Sequence, residues 1–209
     1  MREPDRDDLS GRQLRAIAEV LDLAERERIE VWLRGGWAMD FFLGSQTREH
    51  VDVDWFCWAA DADRLSDALA DLGFRATGGA PPEQQRDLVR GDVELGIALL
   101  DRDGTGWVVV AGGPYAGEPW PDGMLDAAPG RLAGLSCPII AAAAQIEIKR
   151  MMPVWVPTMP RRDKDRADIL RLGRALPPAG ALGTLPRIPC YIDDRHYIDG
   201  RRRNSGGWR

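Results

Sequence analysis

Apolar residues along this chain recur with two rhythms, one near 3.6 residues and one near two, and the switches between them mark out the elements. Over residues 8–27, Leu14, Ile17, Leu21 and Ala24 keep a helical spacing, with Arg15, Glu19, Asp22 and Glu25 between them. This predicts an amphipathic helix, with Ser10 as its N-cap. A β-prone run at 29–33 leads into Gly35-Gly36, and a short helix over 37–43 is expected to stop at Gly44. Residues 51–58, rich in β-branched and aromatic side chains, predict a strand, and 62–72, with Leu65, Leu69 and Leu72 on one face, a helix. Further strands are expected at 74–77, 87–90, 93–100 and 107–111. Glycine and proline interrupt every period over 112–138, which is read as loop. Helices return at 139–151 and 163–176, joined by a proline-containing connection over 152–160. The tail from Pro177, with its basic run at Arg201, Arg202 and Arg203, is read as irregular.

That order predicts an α+β fold: a mixed sheet flanked by helices, with a C-terminal helical segment. The division expected is a catalytic domain over 1–135 and a helical segment with tail over 136–209. Hydrophobic residues make up 44% of the 209, enough for a core without disulfides or a structural metal. The net charge of −5 argues against nucleic acid as the main partner, while leaving room for a local basic site that takes a polyphosphate. Cys57, Cys137 and Cys190 fit neither a zinc spacing nor a disulfide framework, which points to a reducing, cytoplasmic setting. No run is long and apolar enough to suggest a signal peptide or a bilayer crossing.

The chemistry concentrates between Leu33 and Asp54. A strand running into Gly35-Gly36 and then a helix presents unsatisfied backbone N–H groups, a seat for phosphate. Taken alone, such a glycine pair more often marks a tight turn. Asp52 and Asp54 lie two apart on an expected strand, so both carboxylates project to one side. They repel unless a cation lies between them, and Mg²⁺ completed by triphosphate oxygens suits such a pair. Val51, Val53 and Trp55 alternate with them, as on a strand with a packed rear face rather than a solvated loop. A third carboxylate would complete a two-metal site and activate an attacking hydroxyl. Asp92 and Glu94 share a face. Asp92 follows Gly91 in an expected hairpin turn, so Glu94 is favoured.

Taken together, Gly-Gly-Trp-Ala-x-Asp, Leu-Gly, Thr-Arg-x-His and Asp-x-Asp over 31–55 resemble the signature of small antibiotic nucleotidyltransferases. The pattern is most like the aminoglycoside 2″-adenylyltransferase family, with the lincosamide nucleotidyltransferases beside it, both within the polymerase-β-like nucleotidyltransferase superfamily. A looser likeness covers 162–168. The resemblance implies that Gly35 and Gly36 contact a triphosphate through their backbone, with Arg48 near the phosphates and His50 beside it. It also implies that Asp52, Asp54 and Glu94 hold two Mg²⁺ ions, with Glu94 as general base. Trp37 stands where the wider superfamily often has a phosphate-touching serine, and is the tryptophan expected to line the site. The implied activity is transfer of a nucleoside monophosphate from a triphosphate such as ATP to a hydroxyl of a small acceptor, an aminoglycoside or a lincosamide. Enzymes of this type can build a cleft across a homodimer.

Other expectations are plainer. Asp40 is expected to pair with Arg48 or the Thr47 loop, and Trp32 and Trp55 to sit in the core. Lys149 and Lys164 are the cations of the C-terminal half best suited to touch a ligand, and Asp168 forms an ordinary helix-surface pair with Lys164. Two rival functions are a nucleotidyltransferase acting on tRNA or protein, and a catalytically weak nucleotide-binding module. The negative charge counts against the tRNA form of the first, and retention of Asp52 and Asp54 against the second.

Overall fold

The computed structural model describes residues 8–177. Helix α1 (Leu9–Glu27) buries Gln13, Ala16, Ile17, Val20, Leu23 and Ala24, one stripe at three- and four-residue intervals. Its N-cap is Asp8, whose carboxylate accepts from the Gly11 N–H at 2.7 Å. Ser10, expected in that role, lies inside the first turn, because the carboxylate two residues earlier is already placed to cap. Arg28 takes a left-handed conformation (φ 55°) and closes the helix through its N–H.

Strand β1 (Val31–Arg34) leads directly into α2 (Gly35–Leu43), so both glycines belong to the helix rather than preceding it. Helix α2 is apolar nearly all round because it is covered on two sides. Trp37, Ala38 and Phe41 join the main core, while Met39 meets Ala142 and Leu172 of the C-terminal helices. Strand β2 (Val53–Trp58) is shorter than expected: Val51 is exposed and Asp52 stands just ahead of the strand.

After α3 (Ala62–Asp71) come β3 (Arg75–Thr77), β4 (Gln85–Arg90), β5 (Val93–Arg102) and β6 (Val108–Val110). The strands form a six-stranded sheet in the order β1-β2-β5-β4-β3, with β6 also on β5. Only β2 and β5 run parallel; the other neighbours are antiparallel. The mixed sheet expected from the sequence is therefore present. The free side of β1 is covered by the segment at residues 138–140, where the Leu33 N–H donates to the Pro138 carbonyl at 2.8 Å.

Within 112–138, read as loop, the structure forms a small hairpin of β7 (Gly130–Leu132) and β8 (Leu135–Cys137). Its two turn residues, Ala133 and Gly134, both take positive φ. Such a turn matches the twist of paired strands, and alanine at its first position hides it from composition. Helix α4 (Ala142–Trp155) runs past Pro153, which had suggested an earlier stop, and α5 (Asp163–Ala175) packs against it.

One face of the sheet carries the main core, with Val53, Trp55, Leu95, Ile97 and Leu99 against α1 and α3. The other face changes character along its length. Phe56, Ala98 and Leu100 pack with Met124, Ile140 and Ala144 at one end. At the other end the same rows continue as Asp54, Asp52, Gly96 and Glu94, and there the face opens into a cleft. The buried thiols of Cys57 and Cys137 stay protonated, pushed up to about 12 chiefly by desolvation. Cys190 and the tail beyond Pro177 lie outside the described residues. No helix among those residues is long and apolar enough to cross a membrane.

Candidate active site

The cleft encloses about 530 Å³ and is lined by Asp52, Asp54, Thr77, Gly78, Gln85, Asp87, Glu94 and Gly96, together with Leu88, Val89 and Leu95. Both aspartates of the Asp-x-Asp pair face it, as their alternation predicts. Asp54 lies opposite Arg34 on β1 and Gly96 on β5. The Arg34 guanidinium comes within 3.9 Å of its carboxylate.

Gly35 explains itself here. It has φ 72°, and a β-carbon on it would stand 2.5 Å from Asp54 Oδ2. Only glycine lets the turn take that conformation and lets backbone come so close to the acid. The residue at the N-cap of α2, Arg34, places no side chain on the helix's first N–H groups. The start of α2 thus lies against Asp54, and a helix start whose N–H groups carry no side-chain cap has the chemistry to take an anion.

Burial is the main influence on the Asp54 carboxyl and raises its pKa above the ordinary value. Asp52 adds to this, while Arg34, Lys149 and Lys164 pull the other way. The C-terminal helices therefore bring cations toward the acid pair, and Arg162 also feels the charges of Asp52 and Asp54. Lys149 and Lys164 were legible as candidates for this role. Arg34 and Arg162 were not, because one is an ordinary strand residue and the other reaches the site only through the packing of α5.

The Arg48–His50 corner is a buried network. The His50 ring is packed so tightly on Gly36 that a side chain there would overlap it, and the Arg48 guanidinium lies 2.8 Å from the same point. Arg48 Nη1 donates to His50 Nδ1 at 2.8 Å, which leaves the proton on Nε2 to donate to Asp40 Oδ2 at 2.6 Å. The other Asp40 oxygen accepts from the Thr47 hydroxyl and N–H, so the expected tie to the Thr47 loop is present and one to Arg48 is replaced by His50. Arg48 also donates to Asp168 at 3.2 Å, where Lys149 arrives at 3.0 Å.

Asp168 is wholly buried rather than a surface partner of Lys164. Burial opposes its charge, but Lys149 and Arg48 together outweigh that and hold the carboxyl below its usual range. The helical spacing to Lys164 was a sound surface pattern, but α5 turns Asp168 inward against α4 and the Arg48 loop. Trp37 likewise requires correction. It is 1% exposed, its indole N–H donates to Gln13 Oε1 at 3.2 Å, and its ring lies against His50. A side chain enclosed in this way supports the network from behind and does not line the cleft. Trp55 is in the core as expected, and Trp32 packs edge-on to Trp58.

Asp92 sits in the two-residue turn between β4 and β5 and pairs with Arg12 of α1, away from the acid pair. Glu94 reaches the cleft, but its side chain is exposed. Among the described residues no three His, Cys, Asp or Glu side chains converge as a ready-made metal cluster. Sequence reasoning passed over Asp87, which faces the cleft from β4. It stands alone among polar neighbours in the chain, and only strand pairing brings it there.

A family model described as aminoglycoside-2″-adenylyltransferase matches residues 16–172. A lincosamide resistance protein of Staphylococcus haemolyticus is 38% identical over 56 residues, 27% of this chain and 35% of that protein. A 2″-aminoglycoside nucleotidyltransferase of Klebsiella pneumoniae is 32% identical over 124 residues, 58% of this chain and 64% of its own. The chain thus spans between about a third and just under two thirds of the curated relatives it matches. Among solved structures, ANT(2″)-Ia in complex with adenylyl-2″-tobramycin superposes with a TM-score of 0.64 at 22% identity, covering 78% of this chain and 88% of that one. Lincomycin-bound LnuA, a lincosamide antibiotic adenylyltransferase, gives 0.62 at 21%, covering 78% and 97%. These two likenesses speak to the fold, and the model spanning 16–172 speaks to descent: the chain belongs to the aminoglycoside-2″-adenylyltransferase family of nucleotidyltransferases.

Proposed function

We propose that this protein transfers a nucleoside monophosphate from a nucleoside triphosphate, ATP first among them, to a hydroxyl of an aminoglycoside or lincosamide antibiotic. The observation that carries this reading is the Asp52 and Asp54 pair facing one cleft, with the glycine-led start of α2 pressed against Asp54. Oxygen donors only, one of them half-buried with its charge disfavoured by burial and by its neighbour, fit a hard divalent cation such as Mg²⁺. Two such ions, held by Asp52, Asp54 and triphosphate oxygens, would neutralise phosphate charge and acidify the acceptor hydroxyl.

The chain's own residues supply the rest. The start of α2 seats phosphate through its N–H groups, and Arg34, Lys149 and Lys164 draw the anion toward the acids. The Asp40–His50–Arg48 network holds the glycine turn in place. Positioning of this kind carries much of the rate in phosphoryl chemistry. A cleft lined by carboxylates also suits a cationic acceptor, in line with the tobramycin derivative bound by one structural relative. The lincomycin bound by the other is the reason both acceptor classes belong in the test.

The experiment is incubation with each triphosphate and a panel of both antibiotic classes, read by mass for an added nucleoside monophosphate and by released pyrophosphate. Wild type is expected to modify at least one antibiotic in a Mg²⁺-dependent way. Asp52→Asn and Asp54→Asn are each expected to lower turnover by about 10²-fold or more, since a charge-stabilising group is lost. Full Mg²⁺-dependent turnover in either variant would sink the assignment.

A further inference from the structure

We propose that Asp87 on β4 is the third carboxylate of this site and takes the proton of the attacking hydroxyl, the role the sequence had suggested for Glu94. The inference rests on the nucleotidyl-transfer reading above.

The register carries the argument. Asp54 pairs with Gly96 across β2 and β5, and Gly96 pairs with Asp87 across β5 and β4. The three residues therefore form one row across three adjacent strands, with their side-chain positions on the cleft face. The middle residue has no side chain. A β-carbon on Gly96 would stand 3.2 Å from Asp54 Oδ1 and 3.7 Å from Asp87 Oδ1, so the two carboxylates approach each other over bare backbone. Any larger residue at 96 would part them.

Asp87 is also aimed. Gln85, two residues along the same strand and on the same face, donates its amide N–H to Asp87 Oδ1 at 2.6 Å. A β-carbon on Gly79 would come 2.5 Å from Asp87 Oδ2, so the turn after β3 closes on the carboxylate from the far side and only glycine permits it. Glu94 lies one row further out, opposite Val89, and its side chain is exposed. Among the described residues no hydrogen bond or ion pair orients it. A proton acceptor must be held within hydrogen-bond reach of the hydroxyl it serves, and Asp87 has the fixed orientation that this demands.

The step balances without another reactant. The acceptor oxygen forms a bond to the α-phosphorus as the bond from that phosphorus to the bridging oxygen breaks. Pyrophosphate leaves with that electron pair, and the hydroxyl proton passes to the Asp87 carboxylate.

The test compares Asp87→Asn, Asp87→Glu and Glu94→Gln with wild type, using kcat and KM for whichever antibiotic of the panel wild type modifies, Mg²⁺-dependent ATP binding by calorimetry, and thermal midpoints. Asp87→Asn is expected to lower kcat by about 10²-fold or more, with ATP affinity and midpoint near wild type. Its loss should exceed that of Glu94→Gln by at least about tenfold, and Asp87→Glu should recover part of it. A merely structural role would lower the midpoint and ATP affinity along with kcat, and that result overturns the proposal. So does an Asp87→Asn enzyme with wild-type turnover, or a loss in Glu94→Gln that equals or exceeds its own. Wild type that turns over while Asp87→Asn also does removes Asp87 alone. Wild type inert on every triphosphate and antibiotic removes the underlying reading and this one with it.

Discussion

At the scale of single residues, the site depends as much on what glycine omits as on what aspartate supplies. Gly35 and Gly36 read in sequence as a phosphate turn, and each is also pressed by a functional side chain: Gly35 by Asp54, Gly36 by the His50 ring. Gly35→Ala would have to hold an L-residue at φ 72° while pushing Asp54 aside. The expected cost is about 1–2 kcal/mol of stability from the left-handed conformation alone. Turnover should fall further than stability does, because the displaced acid is one of the two proposed to hold the metal. Urea unfolding beside pyrophosphate release checks both, and a variant as active as wild type would show that Asp54 does not need the close approach.

At the scale of elements, α5 is joined to the glycine turn by charge. Asp168 on α5 receives Lys149 from α4 and Arg48 from the loop before β2, and Arg48 in turn orients His50. Truncating a buried ionic partner leaves the other charge uncompensated, so Asp168→Ala should cost about 3 kcal/mol, the lower part of the usual range. The reduction reflects Arg48, whose side chain keeps 24% exposure and can turn to water. Because Asp168 is held below its ordinary value, its contribution is fully present above the unfolded carboxylate value near ~3.9. It is lost as pH falls through the lower folded value. Wild type should therefore lose stability across that acid window more steeply than Asp168→Asn, as denaturant midpoints measured between about pH 5 and pH 2 would reveal. Parallel curves for the two proteins would mean that the network does not hold α5 in solution.

At the scale of the whole molecule, one sheet face is divided between a packed end and an open, charged end. The apolar half of that face, with Phe56, Ala98 and Leu100, anchors α4, and α4 brings Lys149 close enough for its charge to act on Asp54. Asp52 and Asp54 oppose each other's charge, and on the proposed reading a cation bound with its polyphosphate relieves this, so ligand binding should stabilise the fold. ATP with Mg²⁺ at about 100 times its dissociation constant is expected to add about 2.7 kcal/mol, seen as a rise in thermal midpoint. ATP with a chelator should add much less, and the rise should shrink in Asp52→Asn. An equal rise with and without Mg²⁺ would place the nucleotide elsewhere.

Much of this molecule was legible along the chain because short-range physics wrote it there. The helical stripe of α1, the alternation that turns Asp52 and Asp54 to one side, and the glycine pair between β1 and the body of α2 each follow from backbone geometry over a few residues. Local reading failed where the deciding neighbour was distant in sequence. A capping carboxylate two residues upstream displaced Ser10, and an alanine-led turn concealed the β7–β8 hairpin. Burial on both sides of α2 made Trp37 a core residue rather than a ligand contact, and the inward turn of α5 made Asp168 an internal counter-ion. The placement of Asp87 beside Asp54 is the clearest case. It exists only in the lateral register of three strands, across a glycine whose meaning is the absence of a side chain. Periodicity determined which way each residue points along its own element. Which residues then meet was decided by strand pairing and helix packing, since those contacts join positions that the chain itself keeps far apart.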